Sequence, residues 1–125
     1  MLIFGHSHIT MPYFRRVENI QNIQTSPSDS IVWFRYDENF ALLKHCKEFE
    51  IPCAVMVENV IDFMLCAHFS PHYLLVDSHA EEYQKIIDTY LLDSKLLCVV
   101  EDLSAIKTLA SFGVDGVITK AYLGL

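Results

Sequence analysis

Five short apolar runs recur along this chain about every twenty residues: 31–36 (IVWFRY), 53–57 (CAVMV), 73–76 (YLLV), 96–100 (LLCVV) and 116–119 (GVIT). Each has the length and composition of a strand buried on both faces. Between them the apolar residues change period. Phe40, Leu43, Cys46 and Lys47 fall on one helix face, with Phe49 closing the segment. Val60, Phe63, Met64 and Ala67 repeat the pattern, as do Tyr83, Ile86, Ile87, Tyr90 and Leu91, and then Ile106, Leu109 and Ala110. Asn59 and Asp102 have the chemistry of helix N-caps, and Ser78-His79-Ala80-Glu81 reads as a capping box. Ser70-Pro71 ends the second helical segment, and Gly113 suits the left-handed position after the last. Strands and helices that alternate over short connections call for a parallel sheet with right-handed crossovers.

The expected fold is therefore α/β: three layers, with a five- or six-stranded, mainly parallel sheet and helices on both faces. Residues 1–4 (MLIF) are the candidate sixth strand. Residues 12–24 read as a helix, with Phe14, Val17 and Ile20 on one side, and the polar stretch 25–30 (TSPSDS) joins this extension to the run 31–125. All 125 residues make one domain, half the length of an eight-stranded βα barrel, which needs about 250.

Composition narrows the function. Apolar residues make up 52 % of the chain, yet no apolar run approaches the roughly 20 residues of a membrane span. The longest candidate, 57–69, is interrupted by Glu58, Asn59, Asp62 and His68. The N-terminus lacks the basic, then apolar, pattern of a secretory signal, which points to the cytoplasm. Cys46, Cys53, Cys66 and Cys98 have no CxxC spacing and fit buried, reduced thiols. A net charge of −7 opposes direct binding of nucleic acid. Four glycines are too few for a glycine-rich phosphate cradle in this arrangement, and no serine or cysteine has the context of a nucleophile elbow.

The polar residues gather where the strands end. Asp37 and Glu38 follow the first run, Glu58 and Asn59 the second, Asp77, Ser78 and His79 the third, Glu101 and Asp102 the fourth, and Lys120 the fifth. In an open parallel sheet this rim is the usual ligand site. Capping accounts for Asn59, Ser78 and Asp102. It accounts less well for Asp77, because Ser78 already caps, and not at all for Lys120; these two, with His79, are the candidate catalytic residues. A second cluster is Gly5-His6-Ser7-His8. Two histidines at i and i+2 on a strand share a side, as a metal pair does. A third ligand from Asp77, His79 or Glu101 would complete a zinc site.

The order of runs and acids from 31 to 122 resembles a response-regulator receiver domain, a flavodoxin-like fold. The resemblance implies that Asp37, Glu38 and Asp77 hold Mg²⁺ and that Lys120 pairs with a phosphoryl group. Four departures accompany it. Glu101 stands where receivers place Thr or Ser, Ala121 where they place proline, the Met-Pro and Asp-Gly residues after the phosphate-accepting aspartate are missing, and no helix follows the last strand. A receiver-like domain without phosphotransfer, acting on a protein partner, is the expectation. The apolar stretch 121–125 (AYLGL) points to a homodimer. Residues 112–119 (FGVDGVIT) are also similar to late strands of βα-barrel enzymes. With His6 and His8, that similarity frames the alternative of a small metal-dependent hydrolase or phosphate-handling enzyme.

Overall fold

A computed structural model describes residues 1–125. Seven strands form one all-parallel sheet: β1 (Leu2–Phe4), β2 (Phe14–Arg16), β3 (Ile31–Arg35), β4 (Cys53–Met56), β5 (Tyr73–Val76), β6 (Lys95–Val100) and β7 (Gly116–Thr119). The helices are α1 (Ile20–Gln24), α2 (Ala41–Glu48), α3 (Val60–Ala67), α4 (Ala80–Tyr90) and α5 (Ile106–Ser111). Short 3-10 turns at Leu103–Ala105 and Ala121–Leu123 complete the chain. No helix is long and apolar enough to cross a membrane.

The α/β alternation and the five central strands match expectation. The finer architecture differs. The sheet has seven strands rather than five or six, in the order β1-β7-β6-β5-β4-β3-β2. From β2 to β7 each strand lies beside its predecessor, whereas a flavodoxin-like sheet permutes its first strands. When every right-handed crossover steps the same way, all helices fall on one side. The packing agrees. Val32, Val55, Leu74, Leu96, Cys98 and Val117 face a core that also contains Leu43, Phe63, Tyr83 and Leu109 from the helices. Their strand neighbours Trp33, Ala54, Met56, Leu75, Leu97, Val99 and Ile118 face the other way, into a core that no α-helix enters. Period-two alternation thus divides each strand between two cores.

The second core is the concave side of a strongly curled half-barrel. Phe4 on one edge strand and Phe14 on the other have ring centroids 5.1 Å apart, although β1 and β2 do not pair. Tyr73 and Tyr122 pack edge-on or tilted against Phe4 and Phe14. The Tyr122 hydroxyl is shared between the carbonyls of Met11 and Pro12, 2.9 Å from each. Leu123, 3 % exposed, joins the same core.

Residues 1–30 belong to the sheet. The expected helix over 12–24 is instead β2 followed by the five-residue α1. Ladder bonds to β3 outweigh the helical spacing. Ile31 donates to the Tyr13 carbonyl at 2.8 Å, and Val17 donates to the Trp33 carbonyl at 2.9 Å. Phe14 then faces the concave core while Val17 and Ile23 face the helices, so they never share one helix side. The polar stretch 25–30 is the α1–β3 connection within a βαβ unit. It is held by the Ser30 hydroxyl donating to the Pro27 carbonyl at 2.6 Å.

Candidate functional site at the carboxyl rim

Parallel pairing puts every strand's carboxyl end on one rim, and the helix caps lie there too. The Asn59 side chain accepts from the Asp62 amide at 2.9 Å, and Asp102 from the Ser104 amide at 2.8 Å. Ser104 hydrogen bonds, through its hydroxyl and then its amide, hold the Asp102 carboxyl below its usual range. The capping box at Ser78 does not form. The N-cap of α4 is His79, left-handed at φ 55° and without a side-chain cap bond. Its carbonyl accepts from the amides of Glu82 and Tyr83. Starting the helix one residue later puts Glu81 and Glu82 in its first turn, where the helix dipole favours them.

Lys120 faces its neighbour across the ladder. Its Nζ lies 2.5 Å from Glu101 Oε1, with the two side chains 44 % and 77 % exposed. The hydrogen bond and charge of Glu101 raise the lysine pKa; partial burial opposes this, and the charge of Asp77 adds to it. Asp77, Glu101, Asp102, Ser104 and Lys120 line an open depression of about 400 Å³. An adjoining depression of about 430 Å³, between α4 and α5, is lined by Asp77, His79, Cys98 and Thr108 among others. Burial, then the charge of Asp77, pushes the Cys98 thiol up to about 11.

The other expected residues lie apart from this group. Asp37 and Glu38 are exposed beyond β3, and Asp37 accepts from the Asn39 amide at 3.3 Å. In a flavodoxin-like order the first and third strands touch. Here β4 separates β3 from β5, so the two strands stand roughly 9–10 Å apart instead of side by side. His6 and His8 occupy a turn after β1 rather than a strand, with the His8 amide donating to His6 Nδ1 at 3.1 Å. No group of three His, Cys, Asp or Glu side chains converges with the geometry to hold a metal ion, at Asp37–Glu38–Asp77 or at His6–His8. A separate crevice of about 160 Å³ between β3 and β4 is lined by Arg35, Tyr36, Met56, Glu58 and Asp62.

The Gly-Val-Asp-Gly segment before β7 proves structural. Asp115 Oδ2 accepts from the Leu96 amide at 2.9 Å, and its carbonyl accepts from Leu2 at 2.8 Å. Its own amide donates to Gln84 Oε1 at 2.9 Å. One residue thereby joins β1, β6 and α4 at the entry to β7. The signal in the sequence was Gln84, a polar side chain one position from Tyr83 and three from Ile87 on the inner face of α4, only 2 % exposed. A side chain on Gly116 would lie 2.8 Å from the Leu2 carbonyl and 2.6 Å from Leu97, so β7 needs glycine there.

Neither a scan against protein-family models nor a search of curated proteins finds a match. What the fold itself defines is a consecutively wound, all-parallel α/β half-barrel with helices on its convex side and its own side chains filling the concave one.

Proposed function

We propose that this chain is a non-enzymatic protein-interaction domain that docks its partner on α3. The observation that carries this reading is that α3 is apolar outside as well as inside. Phe63 and Cys66 are fully buried against the sheet, while Val60, Ile61 and Leu65 are 44 %, 74 % and 43 % exposed. A helix apolar all round belongs inside a larger assembly, and Asp62 is the only charged residue in this one. The rim supports the same reading. Its one lysine is engaged by Glu101, and the concave side is occupied by Phe4, Phe14, Trp33 and Tyr73.

Photo-cross-linking in cells tests this, with benzoylphenylalanine placed at Ile61 or, as control, at exposed Glu82 on α4. The expected outcome is a discrete adduct from position 61 alone, abolished by Leu65→Lys. Adducts of equal yield from both positions, or none from 61, would sink the proposal. The adduct mass distinguishes a second copy of this chain from a different protein.

A further inference from the structure

At the opposite pole, two buried cysteines line one opening. Cys46 lies in α2 and Cys53 opens β4. The Ile51 amide donates to the Cys46 carbonyl at 2.8 Å, which turns the chain back along the end of its own helix. Strand alternation then points Cys53, two residues on, to the helix side. Both thiols belong to the helix-side core, 2 % and 3 % exposed. Both also line a depression of about 380 Å³ whose mouth carries Lys47, Glu50 and His72.

We propose that Cys46 and Cys53 are a reversible thiol–disulfide pair oxidised by a hydroperoxide entering through this depression. The neighbouring Cys53 thiol draws the Cys46 pKa down, against the opposing effect of burial, while Cys46 and then burial raise that of Cys53. Cys46 is therefore the attacking thiolate. It takes the distal oxygen of the peroxide, the O–O bond breaks, and the leaving alkoxide or hydroxide takes up the proton released by Cys46. The product is a sulfenic acid on Cys46. The Cys53 sulfur attacks the sulfenic sulfur, an S–S bond forms, and the hydroxyl leaves as water with the Cys53 proton. Two thiols are oxidised by two electrons and one peroxide is reduced. A thiol reductant reverses the step by exchange. The other cysteines lack this arrangement: burial and the charge of Asp62 push Cys66 up to about 12, and Cys98 sits beside Asp77.

The test treats the folded full chain with hydrogen peroxide, quenches it in denaturant with an alkylating reagent, and counts thiols by intact mass. Wild type should fall from four alkylated cysteines to two and return to four with dithiothreitol. Peptide mapping should show a Cys46–Cys53 link. Cys53→Ser should stop at a dimedone-reactive Cys46, and Cys46→Ser should keep its remaining thiols. If either variant fails to fold, Cys66→Ser and Cys98→Ser carry the test, since each should still lose two thiols. A link that forms only in denaturant, a different pair, or retention of all four thiols overturns the proposal.

Discussion

At the residue scale, the side chain that looks most catalytic in the sequence is a surface ion pair. Lys120 and Glu101 are both largely open to water, where solvent screening leaves such a pair little net effect. The lysine pKa is raised in the folded state, so its stabilising contribution is present below the free-lysine value and disappears as pH rises through the raised one. Lys120→Met should therefore match wild type closely in urea denaturation at neutral pH, and any small difference should vanish in strong alkali. A large neutral-pH loss that salt does not reduce would assign Lys120 more than this pair. Asp77 is exposed and contributes only a further charge nearby, so the rim has a local electrostatic bias without a closed network.

Among the elements, the junction most exposed to single changes is the entry to β7. Asp115 satisfies a β6 amide and offers its carbonyl to β1, and Gln84 reaches from α4 to its amide. Asp115→Ala leaves the part-buried Leu96 amide without an acceptor, a loss of about 1–3 kcal/mol. Asp115→Asn keeps an amide oxygen at the same place and should recover part of that. Chemical denaturation of the two variants checks the order. Equal losses would mean that the carboxylate charge matters rather than the acceptor.

For the whole molecule, what matters is how an open sheet manages its two edges. Curling brings Phe4 and Phe14 together, and Tyr122 in the final 3-10 turn bonds back to the segment between β1 and β2. The aromatic core thus does what hydrogen bonding does in a closed barrel. Tyr122→Phe preserves the rings and removes the only side-chain hydroxyl that ties the turn to residues 11 and 12. It should cost about 1 kcal/mol. Hydrogen exchange should quicken at the amides of Phe14 to Val17 before it does at β5 and β6. Uniform acceleration across the sheet would show that the edges are not held separately.

Much of the local structure was legible in the sequence. The five central strands, the N-caps at Asn59 and Asp102 and the left-handed Gly113 all rest on contacts within a few residues, and short-range patterns encode those. Phe14, Val17 and Ile20 misled because a three-residue spacing also fits a strand turning into a helix, and only pairing with β3 decides between them. The strand order was invisible for a deeper reason. Right-handed crossovers leave open which neighbour each new strand joins, and that choice sets the helices on one side and separates Asp37 and Glu38 from Asp77. The sequence by itself determined the alternation of elements and the chemistry at their ends. Tertiary structure decided which ends meet, because burying both faces of seven strands is a property of the sheet as a whole.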